Sequence, residues 1–90
     1  MLEILNQSLI AAKQRIEVGA IYYHYRTPAQ LYKVLAIALD EATDEPCVVY
    51  QALYGEQLIW VRDLNVWCDK VEHEGQILPR FIKQNYNSVG

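Results

Sequence analysis

The hydrophobic pattern of the chain changes its period once, at Gly19, and that change limits the fold more than any other feature. Before it, Leu2, Leu5, Leu9, Ala12 and Ile16 recur at spacings of three and four, the stripe of an amphipathic helix with Gly19 as its stop. After it come short runs rich in Val, Ile, Tyr and Trp, separated by turn residues, which is the pattern of a β meander. The helix and the strands must share one core, because 90 residues make at most one domain of the usual size, roughly 100–200 residues.

The runs can be placed individually. Residues 21–25 predict a first strand ended by Arg26-Thr27-Pro28, and residues 31–39 a second one, apolar on both faces as a central, curled strand is. Residues 40–46 are acidic, contain Pro46 and show no periodicity, so they predict a loop. Residues 47–54 and 58–62 form a hairpin about Gly55-Glu56, where a Gly in the first turn position suits a type II′ turn.

Paired on that turn, Ala52 faces Ile59, Gln51 faces Trp60 and Tyr50 faces Val61. Alternation then assigns Tyr50, Ala52, Ile59 and Val61 to the core, and Gln51, Trp60 and Arg62 to the opposite face. Residues 63–69 predict a helical turn carrying Leu64 and Trp67, and residues 70–73 and 76–83 a last hairpin across Glu74-Gly75, with Pro79 making its second strand an edge or bending it.

The expected architecture is mainly β: a small, strongly bent antiparallel barrel of five or six strands over residues 19–83, preceded by the helix of residues 1–18 and followed by a frayed tail, 84–90. The helix stripe is regular enough to pair with a second copy, which makes a homodimer through it one expectation, beside the simpler role of covering an open side of the sheet.

Composition narrows the function classes. A net charge of −3 disfavours nucleic acid, since it supplies no counterion-release drive toward a phosphate polymer. No stretch approaches the roughly 18 apolar residues of a membrane span, and Met1-Leu2-Glu3 lacks the basic start of a secretory signal, so a cytoplasmic protein is expected. Cys47 and Cys68, with no C-x-x-C spacing, read as small buried hydrophobes. Seven Tyr and two Trp against one Phe predict a half-exposed aromatic face, because the polar tips of Tyr and Trp seek water or a partner.

No metal site or cofactor is expected. His24, His73, Cys47 and Cys68 are scattered singly, without the close pair of a structural zinc site, and Asp40, Glu41, Asp44 and Glu45 lack the turn glycine and spacing of a calcium loop. No nucleophile elbow or Gly-rich loop is present. The candidate site is the face with Gln51, Trp60 and Arg62, extended by Tyr22 and His24 on one side of the first strand. An indole stacks, a guanidinium forks onto a carboxylate and an amide pairs with a peptide group. The competing structural reading packs Trp60 under the helix, pairs Arg62 with a carboxylate and uses His24 to fix a turn. The leading function is a non-catalytic binding module for a peptide, protein partner or small anionic ligand; the alternative is a small enzyme or accessory domain using His24 and Arg62.

Several segments together resemble a bacterial domain family of unknown function. They are Tyr22-Tyr23-His24-Tyr25-Arg26, Leu31-Tyr32-Lys33-Val34-Leu35, Val48-Val49-Tyr50-Gln51-Ala52-Leu53-Tyr54-Gly55, Trp60-Val61-Arg62 and Pro79-Arg80-Phe81, spanning residues 19–81. The family pattern runs H-Y-K-G, V-V-Y-x-x-L-Y-G, W-V-R-P and P-R-F. The chain departs from it at Arg26-Thr27-Pro28, at Asp63 and in the acidic loop. The resemblance implies a small barrel of the Src-homology-3 type and no particular activity.

Overall fold

In the computed structural model, which describes residues 1–84, helix α1 (Leu2–Arg15) precedes seven strands and one short helix. The strands are β1 (Ile21–His24), β2 (Thr27–Leu39), β3 (Pro46–Ala52), β4 (Ile59–Asp63), β5 (Lys70–His73), β6 (Gln76–Pro79) and β7 (Phe81–Lys83), with α2 (Leu64–Cys68) between β4 and β5. The mainly β class with an N-terminal helix is therefore as the sequence predicts. Of the expected tail only Gln84 lies within the described residues; its amide donates to the Ile21 carbonyl at 2.8 Å.

Two antiparallel sheets replace the expected closed barrel. One has five strands in the order β4-β3-β2-β1-β7, and the other is the β5-β6 hairpin. Closure fails where Pro79 stands: proline cannot donate to a ladder, so the long final strand predicted for residues 76–83 divides. Its first part stays with β5, whereas the three residues of β7 pair with β1, so β4 and β7 remain as edges. The β5-β6 turn follows the sequence, with Glu74 (φ 52) and Gly75 (φ 79) both left-handed, as a two-residue hairpin requires.

The long strand β2 starts earlier than expected. Thr27 already pairs with His24, while residues 28–30 stand opposite nothing in β1, so Pro28 sits where no ladder hydrogen bond is asked of it. A second irregularity between Val34 and Ala36 lets the strand curl toward β3.

The hairpin of β3 and β4 corrects the predicted register by one residue. Gly55 takes a left-handed φ of 58 as a first turn residue, and the Gln57 amide closes the turn on the Tyr54 carbonyl. Gln57 is also left-handed, at φ 55, which puts the strands out of step beyond the turn. Tyr50 therefore faces Trp60, Gln51 faces Ile59 and Val48 faces Arg62. Ile59 and Val61, expected in the core, are exposed, and Trp60 and Arg62 fall on the same face as the buried Tyr50 and Val48.

That concave face holds the core. Val34 and Val48 are fully buried, joined by Tyr22, Tyr50, Trp67 and Phe81. The helix stripe is buried only in its second half: Ala12 and Ile16 enter the core and Leu9 packs against it, while Leu2 is exposed. Helix α2 is N-capped by Asp63, whose carboxylate accepts from the amides of Asn65 and Val66, and it drives Leu64 and Trp67 inward.

Candidate functional site

The register brings one set of side chains onto the concave face. Tyr22 stands beside Tyr32, His24 beside Phe81, and Tyr50 beside Trp60, with Arg62 the next inward residue along β4. Phe81 is the hub. Its ring stacks on Trp67 at 3.8 Å, meets His24 edge-on at 5.3 Å and Tyr32 at 6.0 Å, and lies under the Arg62 guanidinium at 5.6 Å. The two sheet edges thus approach each other through a cation–π contact rather than through hydrogen bonds.

His24 sits in a field of positive charge. Burial lowers its pKa below the ordinary 6.5, and the guanidinium groups of Arg80, Arg62 and Arg26 lower it further. Its Nδ1 accepts the Arg26 amide at 3.2 Å, so the neutral imidazole carries its proton on Nε2 and is a donor there. Arg80 is held by its own backbone contact, Nε donating to the Val66 carbonyl at 3.0 Å. Among the described residues the one ion pair joins Lys83 to Glu17, and none of the three arginines has a carboxylate partner.

Beside this cluster two phenols meet. The hydroxyls of Tyr32 and Tyr54 are 2.8 Å apart, and Tyr32 is pushed up to about 12 by burial first, then by its bond to Tyr54 and the neighbouring phenols, with Arg62 opposing. Trp60 closes the face toward the hairpin tip, half exposed, over a hollow of about 170 Å³ shared with Tyr54 and Leu58. On the far side of Phe81 a cleft of about 510 Å³ opens between Arg15, Cys68 and Lys83.

The predicted site residues separate into two groups. His24 and Arg62 come together at Phe81, and Trp60 lies on the same face toward the hairpin tip. Tyr22 is buried, its hydroxyl accepting the Glu17 amide at 3.1 Å, and Gln51 lies on the opposite face, where Nε2 donates to the Gln57 carbonyl at 3.1 Å. The competing structural role holds for His24, which does fix a turn, but Trp60 is not under the helix and Arg62 has no carboxylate. Phe81, Tyr32 and Tyr54 lie outside the set of site residues that the sequence predicts. The one Phe of the chain, directly after Pro79-Arg80, was the available signal for the first; the apolar character of β2 on both faces concealed the second.

The molecule is a curled, mainly β domain with an aromatic and basic concave face. The chain belongs to the family described as a protein of unknown function, DUF1653, whose pattern matches residues 20–83. A solved structure of a member from Bordetella bronchiseptica is similar at 32% identity, with a TM-score of 0.66, over 77% of this chain and 87% of that one. Comparison with curated proteins gives no match. No helix of the described residues is long and apolar enough to cross a membrane, and no cluster of three or more His, Cys, Asp or Glu among them could hold a metal ion.

Proposed function

We propose that this domain is a cytoplasmic, non-catalytic binding module whose concave face takes an anionic group, carried by a peptide, a protein partner or a small molecule, between Arg62 and His24. One observation carries the reading: three guanidinium groups bear on His24, and no carboxylate among the described residues forms an ion pair with them. Like charges gathered without a counter-charge oppose folding, and a bound anion removes that opposition. Arg62 supplies a planar fork, the Nε2–H of His24 a second donor, and Tyr32, Tyr54 and Trp60 a wall on which a flat or apolar body can rest.

Backbone NMR titration with acetate, phosphate, benzoate and neutral benzamide tests this. The anions should cause saturable shifts centred on His24, Arg62 and Phe81, stronger at acidic pH, and benzamide should not. A hydrogen bond to a charged group contributes roughly 1.5–3 kcal/mol, so Arg62→Ala should weaken binding about 10- to 100-fold. Equal binding by wild type and Arg62→Ala, or no saturable response to any anion, contradicts the proposal.

A further inference from the structure

We infer that the free edge of β4 pairs with the same edge of a second copy, centred on Trp60, to join two five-stranded sheets into one. The edge is open: β4 is a terminal strand of its sheet, bonded to β3 on one side only, and no other backbone partner exists for residues 59–62 among those described. It is also apolar. Four consecutive side chains, Leu58, Ile59, Trp60 and Val61, are 51–63% exposed. Edge strands are ordinarily guarded by Lys, Pro or an inward charge, and on β4 such a guard, the inward Arg62, stands only at the end of the apolar run 58–61.

Symmetry then selects the partner's register. Identical antiparallel edges in one sheet are related by a two-fold axis perpendicular to it, and residues that stand opposite must point to the same face, so the axis must pass through a single residue position. Centred on Val61, the pairing sets Ile59 against Asp63, the carboxylate that caps α2. Centred on Arg62, it opposes two guanidinium groups. Centred on Ile59, it requires Gln57, whose left-handed φ of 55 lies outside strand geometry.

Centring on Trp60 sets each Ile59 against a Val61 on the convex face and Trp60 against Trp60 on the concave face, so these three exposed apolar residues find apolar partners, while Leu58 stands opposite Arg62. It also brings the Arg62 end of each strand alongside the turn that carries Glu56 of the other copy, opposite charge to opposite charge. A specific interface needs roughly 1,000 Å² of covered surface, and a pairing through one short edge strand therefore fits a weak, reversible dimer. The match of this edge to itself favours a second copy over an unrelated strand.

Sedimentation and crosslinking test the pairing. The protein should be a concentration-dependent dimer, and Val61→Lys, at a position 63% exposed, should remain folded and become monomeric. With Cys47 and Cys68 replaced by Ala, oxidation should join Ile59→Cys to Val61→Cys when the two variants are mixed, and join neither to itself. A monomer at all concentrations overturns the inference. So does a dimer that survives Val61→Lys, as pairing through α1 would, and so does self-crosslinking of Val61→Cys alone.

Discussion

The phenyl ring of Phe81 lies flat on the indole of Trp67, centroids 3.8 Å apart and planes within 5° of parallel. This contact ties the last strand of the five-stranded sheet to α2, and it also sets the position of the ring beneath Arg62. Tyr50 and Tyr22 meet the same indole edge-on, at 4.9 and 5.5 Å, so the stack lies at the centre of the core.

Truncating that ring should therefore cost as much as a core aromatic does. Phe81→Ala is expected to lower stability by about 3–5 kcal/mol, read as a shift of the denaturant midpoint, and Phe81→Leu by less because most of the volume is kept. A loss below about 1 kcal/mol for the alanine variant would mean that the stack adds little beyond surface packing.

Asp63 has two jobs that one substitution can separate. It ends β4 and accepts the Asn65 amide at 2.8 Å to start α2. Asp63→Ala should cost about 0.5–2 kcal/mol, whereas Asp63→Asn should be nearly silent, because an amide oxygen caps as well. Equal losses in both variants would assign the effect to the charge instead of the cap.

The fold was legible wherever a local pattern decided it. Alternation and turn residues placed the β meander, the helical turn with Leu64 and Trp67, and the Glu74-Gly75 hairpin. Two features depended on backbone detail that residue types do not announce. The left-handed Gln57 shifted the central hairpin by one position, which separated Gln51 from Trp60 and Arg62 and moved Ile59 and Val61 out of the core. The division at Pro79 left the sheet open, because the chain's last strand was shared between two partners. His24, Trp60 and Arg62 were recoverable as outlying polar and aromatic residues in apolar strands; Tyr32 and Phe81 required the sheet order.

Stability should respond to His24 in acid. Its folded pKa lies below 6.5, so as pH falls through 6.5 the unfolded chain takes up a proton that the folded one refuses, and stability declines until the folded pKa is passed. Above pH 6.5 the imidazole is neutral in both states and the contribution is complete. Denaturant titrations across this window should show the decline in wild type and a flatter profile in His24→Gln. An identical slope in both proteins would assign the acid sensitivity to other groups.

The paired phenols should separate by titration. Tyr32, pushed up to about 12, should ionise above the ordinary tyrosine value of 10, and Tyr54→Phe should lower its pKa only in part, since burial is the larger cause. Tyrosinate absorbance followed to high pH reads this directly. A Tyr32 that ionises at the ordinary value of 10 would mean that neither the burial nor the hydroxyl contact persists in solution.

The imidazole of His24 can itself report whether the cationic cluster around it takes an anion, as proposed above. The pKa of His24 should be measured by NMR on the free protein and again with saturating benzoate. An anion seated between Arg62 and His24 stabilises the imidazolium, so the pKa should be depressed in the free protein and rise when benzoate binds, and Arg62→Ala should need about 10- to 100-fold more benzoate for its rise. A His24 pKa that stays unchanged, or falls, while benzoate saturates the protein would contradict the proposal.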